Sequence, residues 1–167
     1  MSFLGNRLKL AVIRGHLMVP CEVMPYRPLG DFGIDVTGIS SNDAPFPDSE
    51  IPLKCVRLFR PGSVNRIPQV SRVLQYMTGI NYKLWGLKEV ASNFDVLNPI
   101  ETYNGFSSQA VDTGRPTVVT AWENIPYLHE HGPYRGFKEN VRRKAAYFIA
   151  KTPSARHALI SEGVDDE

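Results

Sequence analysis

What most constrains this chain is a set of short apolar runs that carry hydrophobic residues without strict alternation and are separated by helical segments. Residues 8–14 (LKLAVIR), 94–98 (FDVLN), 117–121 (TVVTA) and 146–150 (AYFIA) are the clearest of them. A strand covered on one face alternates apolar and polar residues; a strand covered on both faces reads as a continuous run. Such strands interleaved with helices predict an α/β fold, an open parallel sheet with helices on both faces.

The rest of the chain fits that frame. Residues 33–39 (GIDVTGI) read as a second strand, followed by a loop rich in Ser, Asn, Asp and Pro over 40–49. Residues 53–59 (LKCVRLF) alternate apolar and basic residues, as an edge or half-exposed strand does. Pro68 suits the first turn of a helix in which Val70, Val73, Leu74 and Met77 recur at helical spacing, and residues 82–90 resume the pattern. A short helix is expected over 105–111, with its N-terminus near Ser107 and Ser108. Another starts at Thr152-Pro153 and stops at Gly163.

Length and composition narrow the class. At 167 residues and 43% hydrophobic, the chain reads as a single domain over 1–167. A chain of that length buries about 70% of the surface it exposes when unfolded. Its apolar runs fall far short of the roughly 20 residues a membrane helix needs. Residues 1–7 (MSFLGNR) lack the layout of a secretory signal, and Cys21 and Cys55 lack metal or redox spacing. A cytoplasmic location is therefore expected. A net charge of +2 calls for no nucleic-acid partner.

In open α/β sheets, ligands sit beyond the carboxyl ends of the strands, which directs attention to three loops. The first, after residue 14, places Gly15, His16, Glu22, Tyr26 and Arg27 near one crevice. It has no G-x-G-x-x-G, and no P-loop occurs anywhere, so dinucleotide redox chemistry and P-loop phosphoryl transfer are disfavoured. The second, PIETYNGFSSQA, offers Glu101, Tyr103 and Asn104 to sugar hydroxyls, Tyr103 adding a stacking face. Gly105 there lets the backbone approach a ligand. The third, TAWENIPYLHEHG, sets Glu123 and Asn124 at a strand end. His129 and His131 lack a metal-binding spacing, so no metal is expected and both read as solvated loop residues. The basic run 138–144 (KENVRRK) reads as a solvated face; with Tyr134 and Phe137 before it, it would also suit a peripheral membrane contact.

The C-terminal pattern VRRKAAYFIAKTPSARHALISEGVDDE resembles group 1 (family 4) glycosyltransferases, in which a strand, a helix and L-x-x-x-G-V lead into a linker. With LKLAVIRG as first strand, FDVLNPIE before the acceptor loop and RPTVVTAWEN after it, the whole chain resembles the N-terminal half of that family. The resemblance implies a GT-B type architecture of two Rossmann-like domains. This half would bind mainly the glycosyl acceptor, and an absent C-terminal domain would hold the nucleotide sugar. Transfer would retain configuration, with the nucleotide sugar as a substrate and no cofactor. Glu123 matches best the position that would orient an acceptor hydroxyl or take its proton. Gly15 and His16 would close over the sugar or phosphate, with Glu22, Tyr26, Glu101, Tyr103, Asn104, Gly105 and Asn124 binding substrate. The glycine-rich loop usual after the family's first strand is here RGHLMVPCE. Two alternatives fit the same residues: a stand-alone flavodoxin-like binding module, and part of a two-domain nucleotide-sugar epimerase.

Overall fold

The computed structural model describes residues 7–61 and 79–166; the helix expected around Pro68 to Met77 lies outside them. Strand β1 (Leu8–Gly15) is central, pairing in parallel with β2 (Ile34–Ser41) on one side and β4 (Val96–Pro99) on the other. β3 (Lys54–Leu58) closes one edge beyond β2, as its alternating pattern required. β5 (Val118–Ala121) and β6 (Tyr147–Ala150) form a second parallel pair, joined to β4 by bridges Leu97–Thr117 and Ile100–Thr120. The resulting order, 3-2-1-4-5-6, is doubly wound, and its direction reverses between β1 and β4.

Period two sorts the core into two layers. Ala11 and Ile13 of β1 pack with Ile39, Leu97 and the helices α2 (Leu87–Ala91) and α3 (Gly105–Val111). Val12 faces the other way, against Met18, Val23 and Ile51, where α1 (Pro20–Val23) and a 3-10 segment (Met24–Phe32) cover the sheet. Val119 joins Val111 and Val141 of α4 (Gly132–Lys144) in a third cluster. The last helix, α5 (Pro153–Ser161), starts as its sequence required: Pro153 opens it, and Thr152 Oγ1 accepts the Ala155 N–H at 3.0 Å. No described helix is long and apolar enough to cross a membrane.

One segment departs from expectation. The helical pattern over 82–90 splits, because Trp85 donates its N–H to Phe59 O at 2.9 Å and its ring meets that of Phe59 edge-on. Tyr82 ends a short 3-10 turn, and α-helix resumes only at Leu87. The helix expected over 105–111 forms over that range, Gly105–Val111.

Between β4 and β5 the backbone ladder is broken by Pro99. Leu97 donates to Pro116 O at 2.9 Å and Glu101 to Thr120 O at 2.8 Å, but Pro99, between them, has no N–H to give. The Asn98 side chain fills that place, its Nδ2 donating to Val118 O at 2.7 Å. Asn98→Leu is therefore expected to leave Val118 O unpaired and to lower stability by about 2 kcal/mol. Urea denaturation checks this, and a loss under a few tenths of a kcal/mol contradicts it.

Candidate functional site at the strand reversal point

At the carboxyl end of β1, Arg14 turns to the α1 side and is only 1% exposed. Its guanidinium bonds neutral oxygens: Ile13 O at 3.0 Å, Asn98 O at 2.8 Å, Asn98 Oδ1 at 3.1 Å and the Tyr26 hydroxyl at 2.7 Å. Tyr26 in turn donates to Asn98 Oδ1 at 2.7 Å, and Asn98 Nδ2 reaches Thr120 Oγ1 at 3.1 Å. This polar cluster fastens the 3-10 segment to β1, β4 and β5 where the strand order reverses. Burial lowers the Arg14 pKa, partly offset by Tyr26, Glu22 and Glu101.

Glu101 lies two residues beyond the end of β4, 5% exposed and with its backbone in the left-handed region at φ 62°. A bulky non-glycine residue held there costs on the order of 1–2 kcal/mol. Its carboxyl accepts the Trp122 N–H at 2.9 Å and, more loosely, the Glu123 N–H at 3.4 Å. Burial pushes its pKa up to about 7; the Glu123 charge adds to that, and the two N–H donors and Lys138 oppose it. Tyr103, two residues on, is pushed up to about 12 by burial and by the charges of Glu101 and Glu123, which keeps it a neutral hydroxyl.

Glu123 is bound elsewhere. Its Oε2 accepts from Lys138 Nζ at 2.9 Å, and Lys138 is 0% exposed, so residue 138 is core and not the solvated face its basic run suggested. The same ammonium reaches Leu128 O and Glu162 Oε1, each at 2.7 Å. Glu162 also accepts from Arg142 at 2.8 Å, and Arg142 holds Glu130 at 2.8 Å. Sequence spacing hides this network because its members lie 10 to 24 residues from Lys138 or 12 and 20 from Arg142. Burial raises the Glu123 pKa against the pull of Lys138.

The other expected residues divide. Glu22 lies 3.8 Å from Lys151, whose ammonium sits 4.1 Å above the Trp122 ring, so Lys151, directly after β6, links the first and third loops. His16 is half-buried beside Gly15, and burial and Arg60 lower its pKa. Asn124 is exposed at the rim. Asn104 is buried and donates to Ile100 O at 2.8 Å, a loop-closing role. Gly15, at φ 55°, has the Phe106 ring where a Cβ would stand 3.0 Å away; the chain that approaches Gly105 is its own, with Tyr82 O 2.7 Å from such a Cβ. No cluster of His, Cys, Asp or Glu that could hold a metal occurs among the described residues.

Among the described residues, the buried side-chain polar atoms lacking a hydrogen-bond partner are Arg14 Nε, His16 Nδ1, Glu22 Oε2, Ser40 Oγ and Glu123 Oε1. All five belong to the carboxyl ends of β1, β2 and β5 or to the segments that follow. Glu22 Oε2 faces the Lys151 ammonium at 3.8 Å, and in open α/β sheets this edge is where ligands usually sit.

No family model and no curated protein matches the chain. Solved structures do. A UDP-GlcNAc 2-epimerase from Methanocaldococcus jannaschii aligns over 95% of this chain and 43% of its own, with 14% identity and a TM-score of 0.56. A spinosyn rhamnosyltransferase aligns over 80% of this chain and 39% of its own, at 15% identity and a TM-score of 0.43. The chain thus spans less than half the length of these proteins. What the epimerase likeness establishes is the fold: a Rossmann-like parallel α/β sheet with helices on both faces, as in GT-B architectures.

Proposed function

We propose that the chain is the acceptor-side half of a two-domain enzyme acting on nucleotide-activated sugars, a retaining glycosyltransferase. The observation that carries this reading is the convergence of Tyr26, Glu101 and Glu123, from three loops, at the carboxyl ends of the strands around the β1–β4 reversal. The family-like pattern of residues 141–167 accords with it. In the reaction, an acceptor hydroxyl oxygen bonds to the anomeric carbon while the bond to the diphosphate breaks and its electron pair leaves with the phosphate. The hydroxyl proton passes to the leaving phosphate or to a carboxylate. Glu101 suits that second role, because its pKa of about 7 permits uptake and release near neutrality; Glu123, also raised, is held by Lys138 through one oxygen. The nucleotide sugar would be held mainly by a partner domain, with Gly15 and His16 closing from this side. A second reading, half of a nucleotide-sugar epimerase, is favoured by the fold shared with the UDP-GlcNAc 2-epimerase.

Titrating residues 1–167 with methyl glycosides and with UDP or GDP, followed by amide NMR, separates the two. Glycosides are expected to shift resonances of residues 15–26, 101–104 and 122–124, with the diphosphates binding at least about tenfold more weakly. Incubation with nucleotide sugars should release no nucleoside diphosphate. Turnover by the chain alone overturns the half-enzyme reading. Tight diphosphate binding without any glycoside response replaces it with the epimerase.

A further inference from the structure

Five rings gather around Tyr134: Tyr82, Tyr103, His129, His131 and Tyr134 itself, drawn from three separate stretches of chain. Tyr103 and His129 are 4.4 Å apart between ring centroids, and His129 and His131 each lie 5.5 Å from Tyr134. Tyr82 is 5.0 Å from Tyr134, and the two hydroxyls are hydrogen-bonded. None of these rings joins the three apolar clusters; four are half-buried and His131 is exposed. That holds among the described residues, where the three clusters form the core.

The backbone beneath them is strained and pinned. Tyr127 and His129 both sit in the left-handed region, at φ 61° and 59°. The Leu128 carbonyl between them is gripped by the buried Lys138, and the Tyr127 N–H is held by Glu162 at 2.8 Å. Strain of on the order of 1–3 kcal/mol per residue persists only where surrounding contacts impose it, and such residues concentrate at ligand sites. Here the imposed conformation presents His129 to Tyr103.

We propose that this cluster is a stacking platform for a pyranose ring of the acceptor. The proposal rests on the acceptor-side reading and assigns the acceptor's class. Its rings meet at 42° to 79°, not as a parallel slot. A flat nucleobase prefers parallel faces, whereas a puckered sugar offers C–H groups to tilted rings and hydroxyls to their polar edges. Burial, His131 and Lys138 lower the His129 pKa, so its ring is neutral near pH 7, with one donor and one acceptor nitrogen. Tyr103 stands two residues beyond Glu101, which places a docked hydroxyl near that carboxyl.

The test is a ring-resolved NMR titration of residues 1–167 with methyl pyranosides, using uridine and guanosine as planar probes. The wild-type chain is expected to show saturable shifts at Tyr103 and His129. Tyr103→Leu and His129→Gly should each weaken binding about tenfold, with Tyr147→Leu, on the exposed face of β6, unchanged. His129→Gly guards against misfolding, because glycine adopts φ 59° without strain; this variant should be no less stable while binding worse. Pyranoside binding at the sheet edge that ignores both variants overturns the platform and leaves the acceptor-side reading intact. Nucleosides shifting the rings in place of pyranosides also overturn it, giving the platform to a nucleotide. No response anywhere along the edge overturns both.

Discussion

Lys138→Met is expected to lower the folding free energy by about 3–5 kcal/mol, a large part of the roughly 5–15 kcal/mol that holds a domain of this size. Methionine matches the lysine stem closely in volume, so packing changes little and the effect is electrostatic. Without the ammonium, Glu123 and Glu162 face each other's charge in the interior with only Arg142 to share, and Leu128 O loses its donor. Breaking a buried pair by removing one partner leaves an uncompensated charge, and this accounts for the size of the loss. The loop carrying Tyr127 and His129 would then lose what holds its left-handed turns. Denaturant unfolding at pH 7.5 measures the effect. The double variant Lys138→Met, Glu123→Gln should recover at least about 1 kcal/mol, since the two sites are coupled. A single-variant loss below about 1 kcal/mol, or strict additivity of the two changes, would show that Lys138 is not the keystone of this network.

The framework was legible in the sequence because its signals are local. A strand buried on both faces is announced by its own residues, and Thr152-Pro153 carries its cap within three positions. Even the alternation of residues 53–59 located an edge strand correctly. What stayed hidden depends on partners distant along the chain. Lys138 looks like any surface lysine in KENVRRK until Glu123 and Glu162 are brought to it. Residues 82–86 have helical spacing, yet the contact of Trp85 with Phe59 overrides it. Glu101 reads in the sequence as a sugar-binding residue, but its burial and left-handed backbone, which set its chemistry, leave no periodic trace. The histidines of LHEHG are two residues apart in sequence, and only the fold shows that they share a cluster with Tyr103 and Tyr134. Asn98-Pro99 did carry a usable signal: a proline in an inner strand needs a substitute donor, and the preceding asparagine supplies it.

The Glu101 carboxyl leads to the second large effect. Its pKa stands near 4.5 in the unfolded chain and is raised to about 7 in the folded one, so the folded state binds this proton more tightly. Its contribution to stability is therefore fully present below about pH 4.5 and is lost as the pH climbs through 7. Between pH 5 and pH 8 the loss amounts to about 2–3 kcal/mol. Other groups titrate across the same interval: Glu123, also raised, acts in the same direction, while His16 and His129, both lowered, act oppositely. The informative quantity is thus the difference between wild type and Glu101→Gln, which has no proton to exchange. Glutamine still accepts one of the two N–H bonds from residues 122 and 123. Measured by urea unfolding across that range, the variant is expected to gain on the wild type by about 2–3 kcal/mol as pH rises from 5 to 8. A pH-independent gap would mean that Glu101 titrates at an ordinary value, removing it as the group that exchanges a proton with an acceptor hydroxyl. A gap that widens with pH gives the edge of the sheet a carboxyl balanced between its two protonation states at neutrality, which is what a reversible proton acceptor there requires.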